Sequence, residues 1–442
     1  MKRRKFVKYA GLSSASLIVS SCAGVQLPTP NQEEDFKLDL SKLEKKNLSL
    51  AYVASIDAAP IIIAKEKGIF ERYGLAVGLR RQNSWSEIEK GLTDWKIDAA
   101  QGLFAMPMLA QLGKQKTPLV SLMMLNWNGS AVTLGQKAWK WGIRPGSEYN
   151  NYLEFSNNFR DYARNKGQLN FATESPASMD TYLLRYWLGS MGLNPENEVK
   201  FTSINPSQLI YKLQAGTIDG FSVAEPWNQQ AVAQQIGFIP YNSKEIWQGH
   251  PGKILISMQG WVDKYPNTAR ALVAALIDAS RFCDQTENRL EVAQILSQSQ
   301  YLNVPQPLIE TSLIDKYMYE NWENFNNESF KFPDFNLYHF QNTDYLKKPD
   351  QVNYPWRSHG VWLLTQMVRW NDLGLTEYPK DADQMLDKMY PIKVYEDAAE
   401  ILKLELPKER DKKELKTAFI DQREFDPSQP VAYLNQFEIR AV

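Results

Sequence analysis

Cys22 is the residue whose neighbours suggest chemistry most plainly. It follows Ile18-Val19-Ser20-Ser21, the small-residue run of a bacterial lipobox, which lets a signal peptidase reach the bond before the cysteine. The freed residue would take a diacylglycerol on its thiol and a third acyl chain on its amine, and several chains anchor far more firmly than one. Upstream, Lys2-Arg3-Arg4-Lys5-Phe6-Val7-Lys8 has the form of a twin-arginine export signal, and residues 10–19 make an apolar stretch too short to span a bilayer.

Elsewhere the reactive residue types form no catalytic pattern. There is no GxSxG elbow and no HExxH, and the loop after the first strand, Ala54-Ser55-Ile56-Asp57, lacks the glycines of a phosphate loop. His250, His339 and His359 are too scattered for a metal site and read as structural or exposed. Cys22 and Cys283 are the only cysteines, which excludes a disulfide framework and any CxxC redox or zinc motif. Among 51 acidic residues no pair is singled out, so the chain is expected to bind rather than to catalyse, with no cofactor required. Residues 1–21 carry five basic and no acidic side chains; without them 45 basic residues face 51 acidic ones, a net charge of −6. A mildly acidic body argues against nucleic-acid partners. Thirteen Trp and 21 Tyr fit either large buried interfaces or an aromatic-lined cleft.

The elements that must position any site alternate from residue 47. Residues 48–53 read as a buried strand, and Asp57 as the cap of a helix over 58–67 with Pro60 in its first turn and Gly68 as its stop. Strands at 75–81 and 97–100 alternate with helices near 86–92 and 104–112. A second unit repeats the alternation, with strands at 169–173, 199–204 and 218–223 and helices at 175–191 and 207–215, and strand–helix order then resumes with a strand at 253–258 and a helix at 267–283. That order predicts an α/β fold of two lobes, each a mostly parallel sheet with helical crossovers, hinged like a clam. Ligands in such folds sit beyond the carboxyl ends of strands and between domains. The expected boundaries are an export signal over 1–21, a tether over 22–46, a first lobe over 47–141 and 245–330, and a second lobe over 142–244. An extension over 331–442, with an amphipathic helix at 356–370, is expected to pack on the first lobe.

Several segments carry a family resemblance. Residues 52–60, Ala64-Lys65-Glu66-Lys67-Gly68-Ile69-Phe70, Gly216-Thr217-Ile218-Asp219-Gly220-Phe221, Val223-Ala224-Glu225-Pro226-Trp227-Asn228 and His250-Pro251 resemble type II solute-binding proteins. The nearer likeness is to the nitrate- and bicarbonate-binding lipoproteins of cyanobacterial-type importers. The resemblance implies a small anion as ligand, nitrate or nitrite first and bicarbonate second, delivered to the membrane and ATPase subunits of an ABC importer. It implies a lipid-anchored protein on the periplasmic side of the inner membrane. A zwitterion of the sulfonate or taurine class is a further alternative, and a ligand sensor is the reading from another class.

The resemblance also carries over six ligand positions. Trp85 would supply a flat wall and an indole N–H, Lys253 the charge, and Gln101 and Ser130 hydrogen bonds. Ala224 stands where the family has Gly, Ser130 where it has Gln, Gln101 where it has His, and Asp180 where it has the His at the start of a second-lobe helix. That helix, read as opening at Ser175-Pro176, would offer its first amides to an anion. Asp180 opposes it: a carboxylate 4 Å from a bound anion repels it by roughly 4 kcal/mol at an effective dielectric near 20. Asp180 therefore points away, pairs with Lys253 or Arg185, or recruits a cation such as calcium; an amine-bearing solute is the fourth outcome.

Overall fold

The computed structural model describes residues 39–314, 317–322, 335–339 and 352–441. The expected export signal over 1–21 and the expected acylation site Cys22 lie outside them. The strands in chain order are β1 (Asn47–Val53), β2 (Ala76–Gln82), β3 (Ala99–Leu103), β4 (Leu119–Met124), β5 (Trp127–Asn128), β6 (Ser130–Gly135), β7 (Leu169–Thr173), β8 (Val199–Ser203), β9 (Gly220–Ala224), β10 (Gly237–Phe238), β11 (Lys253–Met258) and β12 (Asn336–Leu337).

Two five-stranded sheets share one topology. The first runs β2-β1-β3-β11-β4, the second β8-β7-β9-β6-β10, and β5 pairs with β12 in a small third sheet. In each, three parallel strands are joined by helical crossovers, and the fourth place is taken by an antiparallel strand: β11 beside β3, β6 beside β9. Each of those two strands belongs to the chain returning from the other lobe, so the lobes exchange strands through two crossings. The central strands β3, β6 and β9, and the edge strand β4, are buried along their whole length, which is why they do not read as alternating apolar and polar runs.

The same polar device pins both lobes. The Asp98 carboxylate accepts from the Ser49 amide (2.8 Å) and the Trp261 indole (2.8 Å), with Lys45 paired to it. Asp219 accepts from the Asn170 amide (2.9 Å) and from Lys166 (2.7 Å). In each case an Ile-Asp pair ends the loop before the third parallel strand and fastens it to the first. This duplication has no counterpart of fixed period in the sequence.

Three boundaries differ from the sequence reading. β6 belongs to the second sheet, so the chain crosses near residue 129 rather than 142, and the glycine-poor run 130–135 is the exchanged strand. Residues 43–46 are docked rather than tethering. Leu43 is buried, and Glu44 accepts from the Asn267 and Thr268 amides (3.1 and 3.0 Å) at the start of the helix Pro266–Asp284. The extension packs on both lobes. Its helix Arg357–Arg369 lies against the second-lobe helix Met179–Ser190, where Gly189 leaves the room that the Arg369 guanidinium fills. Trp362 meets Trp247 (ring centroids 4.5 Å apart) and Tyr186 (5.9 Å). The helix Ile392–Ile401 instead joins Tyr395, Ala398 and Ala399 to the first-lobe core around Leu272 and Leu276. Among the described residues no helix is long and apolar enough to cross a membrane.

Candidate functional site

Antiparallel β6 and β11 begin on the rims where the parallel strands of their sheets end, so the two rims gather the starts of two strands and the ends of six. Lys253 opens β11, its amide held by Asn126 Oδ1 (2.8 Å). Glu174 follows β7. Asp57 follows β1 in a short turn, Ile56–Ala58. Asp180 lies in the first turn of the helix Met179–Ser190, whose cap is Ser178. Trp85 begins the helix Trp85–Thr93 behind its cap Ser84.

These side chains converge across the lobes. Lys253 Nζ stands 2.6 Å from Glu174 Oε1, 3.5 Å from Asp57 Oδ2 and 3.7 Å from Asp180 Oδ2, and all four side chains are only 2–4% exposed. The Trp85 indole N–H donates to Glu174 Oε2 (3.1 Å), and its ring centroid lies 5.7 Å from the ammonium. Asn126 Nδ2 donates to Asp57 Oδ1 (3.1 Å), and the Ser178 hydroxyl to Asp180 Oδ2 (2.7 Å) and Glu174 Oε1 (3.2 Å). Main-chain bonds tie the lobes beside the cluster: Ile56 N to Glu225 O (3.1 Å) and Ala105 N to Ala177 O (3.1 Å).

Burial and mutual repulsion set the charges. Burial pushes the Asp57 carboxyl up to about 7; Lys253 opposes that rise, and Asp180 and Glu174 reinforce it. Glu174 is raised by burial, against Lys253 and with Asp180. Burial would raise Asp180 too, but Lys253 and the Ser130 and Ser178 hydroxyls outweigh it and hold that carboxyl below its ordinary value. Burial depresses the Lys253 ammonium, yet the three acids more than reverse this and keep it charged. His250 completes the group: buried, pushed down to about 4 by loss of solvent, and felt electrostatically by Asp180 and Lys253.

Four of the six expected positions therefore meet: Trp85, Asp180 and Lys253 directly, and Ser130 through its hydroxyl beside Asp180. Ala224 is the strand partner of Ser130 and is buried. Gln101 does not join them. Its carboxamide accepts from Val53 N (3.0 Å) and donates to Ser55 Oγ (3.1 Å), so it shapes the loop after β1. The helix begins at Met179 rather than near Ser175, and Ser178 with Asp180 already occupies the niche that its first amides were expected to offer an anion. Of the outcomes open to Asp180, the structure has it paired with Lys253; Arg185 pairs with Asp372 and Glu196 instead.

Three members went unread. Asp57 was expected to cap a helix, but Ala58 holds that position. His250 was set aside with the scattered histidines. Glu174 was passed over, although its place directly after a strand was a usable signal. Among the described residues no group of three or more His, Cys, Asp or Glu is arranged to hold a metal ion. The Lys253 ammonium stands among the three acids, at 2.6, 3.5 and 3.7 Å. A separate cavity of about 750 Å³ opens beside the extension, bordered by Trp127, Trp356 and Lys412, and none of the cluster lines it.

Comparison with known proteins fixes the lineage. A model of the NMT1-like family matches residues 41–297, more than half of the chain. The chain belongs to that family. Within it, the chain is 30% identical over 462 residues to the nitrate/nitrite binding protein NrtA of Nostoc sp. (strain PCC 7120), covering 100% of this chain and 99% of that protein. It is 33% identical over 401 residues to the nitrate import ATP-binding protein NrtC of Synechocystis sp. (strain PCC 6803), covering 90% of this chain and 56% of that protein. The chain thus spans little more than half the length of such ATP-binding relatives. The crystal structure of the periplasmic nitrate-binding protein NrtA from Synechocystis PCC 6803 superposes with a TM-score of 0.79 at 29% identity, covering 90% of this chain and all of that one. The two-lobed α/β fold expected from the sequence is that of a periplasmic binding protein.

Proposed function

We propose that this chain is the solute-binding component of an ABC importer, that it holds one small solute between its lobes, and that it hands the solute to membrane and ATPase subunits. The observation that carries the reading is the cross-lobe cluster of Lys253, Trp85, Asp57, Glu174 and Asp180, set at the rim where this fold binds its ligands. Full-length similarity to a nitrate/nitrite binding protein supports it and makes nitrate and nitrite the first solutes to test. Bicarbonate comes second, without better support. In this reading the protein works by capture and release and carries out no covalent chemistry. It stands on the periplasmic side of the inner membrane, tethered by acylated Cys22. Titration calorimetry of the purified protein against nitrate, nitrite, bicarbonate with and without calcium, cyanate and taurine tests solute capture. Stimulation of the partner ATPase by the loaded protein in proteoliposomes tests delivery.

A further inference from the structure

The family likeness and the charge of the cleft disagree on the sign of the solute, and the charge belongs to the residues that would touch it. We propose that the cleft takes a small cation bearing N–H donors, an ammonium, amidinium or guanidinium group, held by Asp57 and Asp180 against the face of Trp85. The proposal rests on the importer reading for the place of the solute and differs from the anion reading in its class.

The first argument is the balance of charge. Glu174 holds Lys253 at 2.6 Å and also takes the Trp85 N–H, so that ion pair is complete within itself. Asp57 and Asp180 then share only the more distant flank of the same ammonium, at 3.5 and 3.7 Å. All are nearly sealed from water, and one ammonium does not balance three carboxylates held in so little solvent. A bound anion would add to the surplus. A bound cation would offset it.

The second is the pattern of donors and acceptors. His250 Nδ1 lies 2.9 Å from the Pro251 carbonyl, which can only accept, so Nδ1 carries the proton. The neutral ring then leaves Nε2 as a bare lone pair, and that atom is buried with no partner. Asp180 and Lys253 both influence this ring, which places it beside the cluster. An unpartnered lone pair near the Asp180 carboxylate calls for a donor, and nitrate has none. The third is Trp85. Its N–H is spent on Glu174, and an indole face attracts cations.

The sign of the pH response separates the classes without any mutation. The titratable and charged groups around the site are Asp57, Glu174, Asp180, Lys253 and His250, with Glu225, which burial also raises to about 7, and Tyr338 within electrostatic reach of Asp57. Asp57 takes up a proton near about 7, and Glu174 is also raised. A cation expels those protons, so its affinity should rise with pH through about 7, up to tenfold per unit for each proton released. An anion is helped by the same protons, and its affinity should fall. Calorimetry of the full chain between about pH 6 and pH 8 is run with guanidinium, methylammonium, choline, nitrate and nitrite. Guanidinium or methylammonium should bind, more tightly at the higher pH, and choline, which lacks N–H, should bind more weakly. Asp180→Asn, with a circular dichroism spectrum unchanged, should weaken the cation roughly a hundredfold. Nitrate or nitrite binding that strengthens towards low pH and tightens in Asp180→Asn overturns the cation proposal and leaves the importer reading standing. No binding by any of the N–H cations overturns it as well. If a thermal-shift screen of small solutes also finds none, the importer reading falls with it.

Discussion

Replacing Lys253 with Met removes one charge, keeps most of the side-chain volume, and strands three buried carboxylates. At an effective dielectric near 20, the attraction of the ammonium to Glu174 at 2.6 Å is about 6 kcal/mol, and to Asp57 and Asp180 between about 4 and 5 kcal/mol each. Desolvation of the ammonium offsets much of this, and breaking a buried pair by removing one partner costs about 3–5 kcal/mol. With about 2 cal/mol/K of unfolding entropy per residue, a chain of 442 residues should lose about 5 °C in Tm. The loss depends on pH, and its sign follows from the acids. Asp57 in the folded protein titrates near about 7, above the 3.8 of the unfolded chain. Between those values the folded state binds the extra proton, so stability falls as pH rises, by about 1.4 kcal/mol per unit for each such group. Without Lys253 the carboxyls of Asp57 and Glu174 rise further and the window extends upward. Calorimetric melts of Lys253→Met and the parent at pH 5.5 and 8 should therefore differ most at pH 8. Equal melting at pH 8, or a deficit that ignores pH, would refute the idea that this ammonium is what holds the acids together.

Three further outcomes follow from other parts of the chain. Cys22→Ser should move the protein from the membrane fraction to the soluble one while its solute binding stays intact; retention at the membrane would contradict the lipobox reading. Asp98→Ala leaves the Ser49 amide and the Trp261 indole without their acceptor and should cost about 2–4 kcal/mol in urea unfolding, with Asp98→Asn costing less. The extension stands on both lobes, so closure should flex the connection over 370–391, which includes the helix Ala382–Met389, between Arg357–Arg369 and Ile392–Ile401, and small-angle scattering should show a contraction when a tight solute is bound. No contraction with such a solute would count against the hinge.

The fold was legible because its signals are local. β7 and β11 run over the ranges their apolar runs predict, and Gly68, at φ +62°, ends a helix where its sequence position suggested. The exchange of strands was not legible, because β6 is as apolar as any first-lobe strand and nothing in its composition says which sheet it completes. The reach of the extension was hidden for a like reason. An amphipathic stripe on Arg357–Arg369 announces burial and does not name the surface that buries it. In the site, Lys253, Trp85 and Asp180 were reachable through the family pattern, whereas Asp57, Glu174 and His250 become partners only when two lobes far apart in sequence close on each other.

That difference explains why belonging to this family does not settle the sign of the solute. The backbone that forms the rim is held by elements away from it: the Asp98 and Asp219 fastenings, the apolar central strands, and the Ile56–Glu225 bond. None of these depends on which charges the loops after β1 and β7 carry. Asp180, where the resemblance implies a His, sits in its helix without disturbing it, since Ser178 caps the first turn and Asp180 Oδ2 accepts from the same hydroxyl. Such an exchange replaces a hydrogen-bond donor with a negative charge at the point of contact. A few such exchanges can reverse the preferred ligand while sequence identity over the whole chain stays near 30%. In the proposed function the fold sets the place of the solute, and the protonation of Asp57, Glu174 and Asp180 with and without it would say which charge it brings.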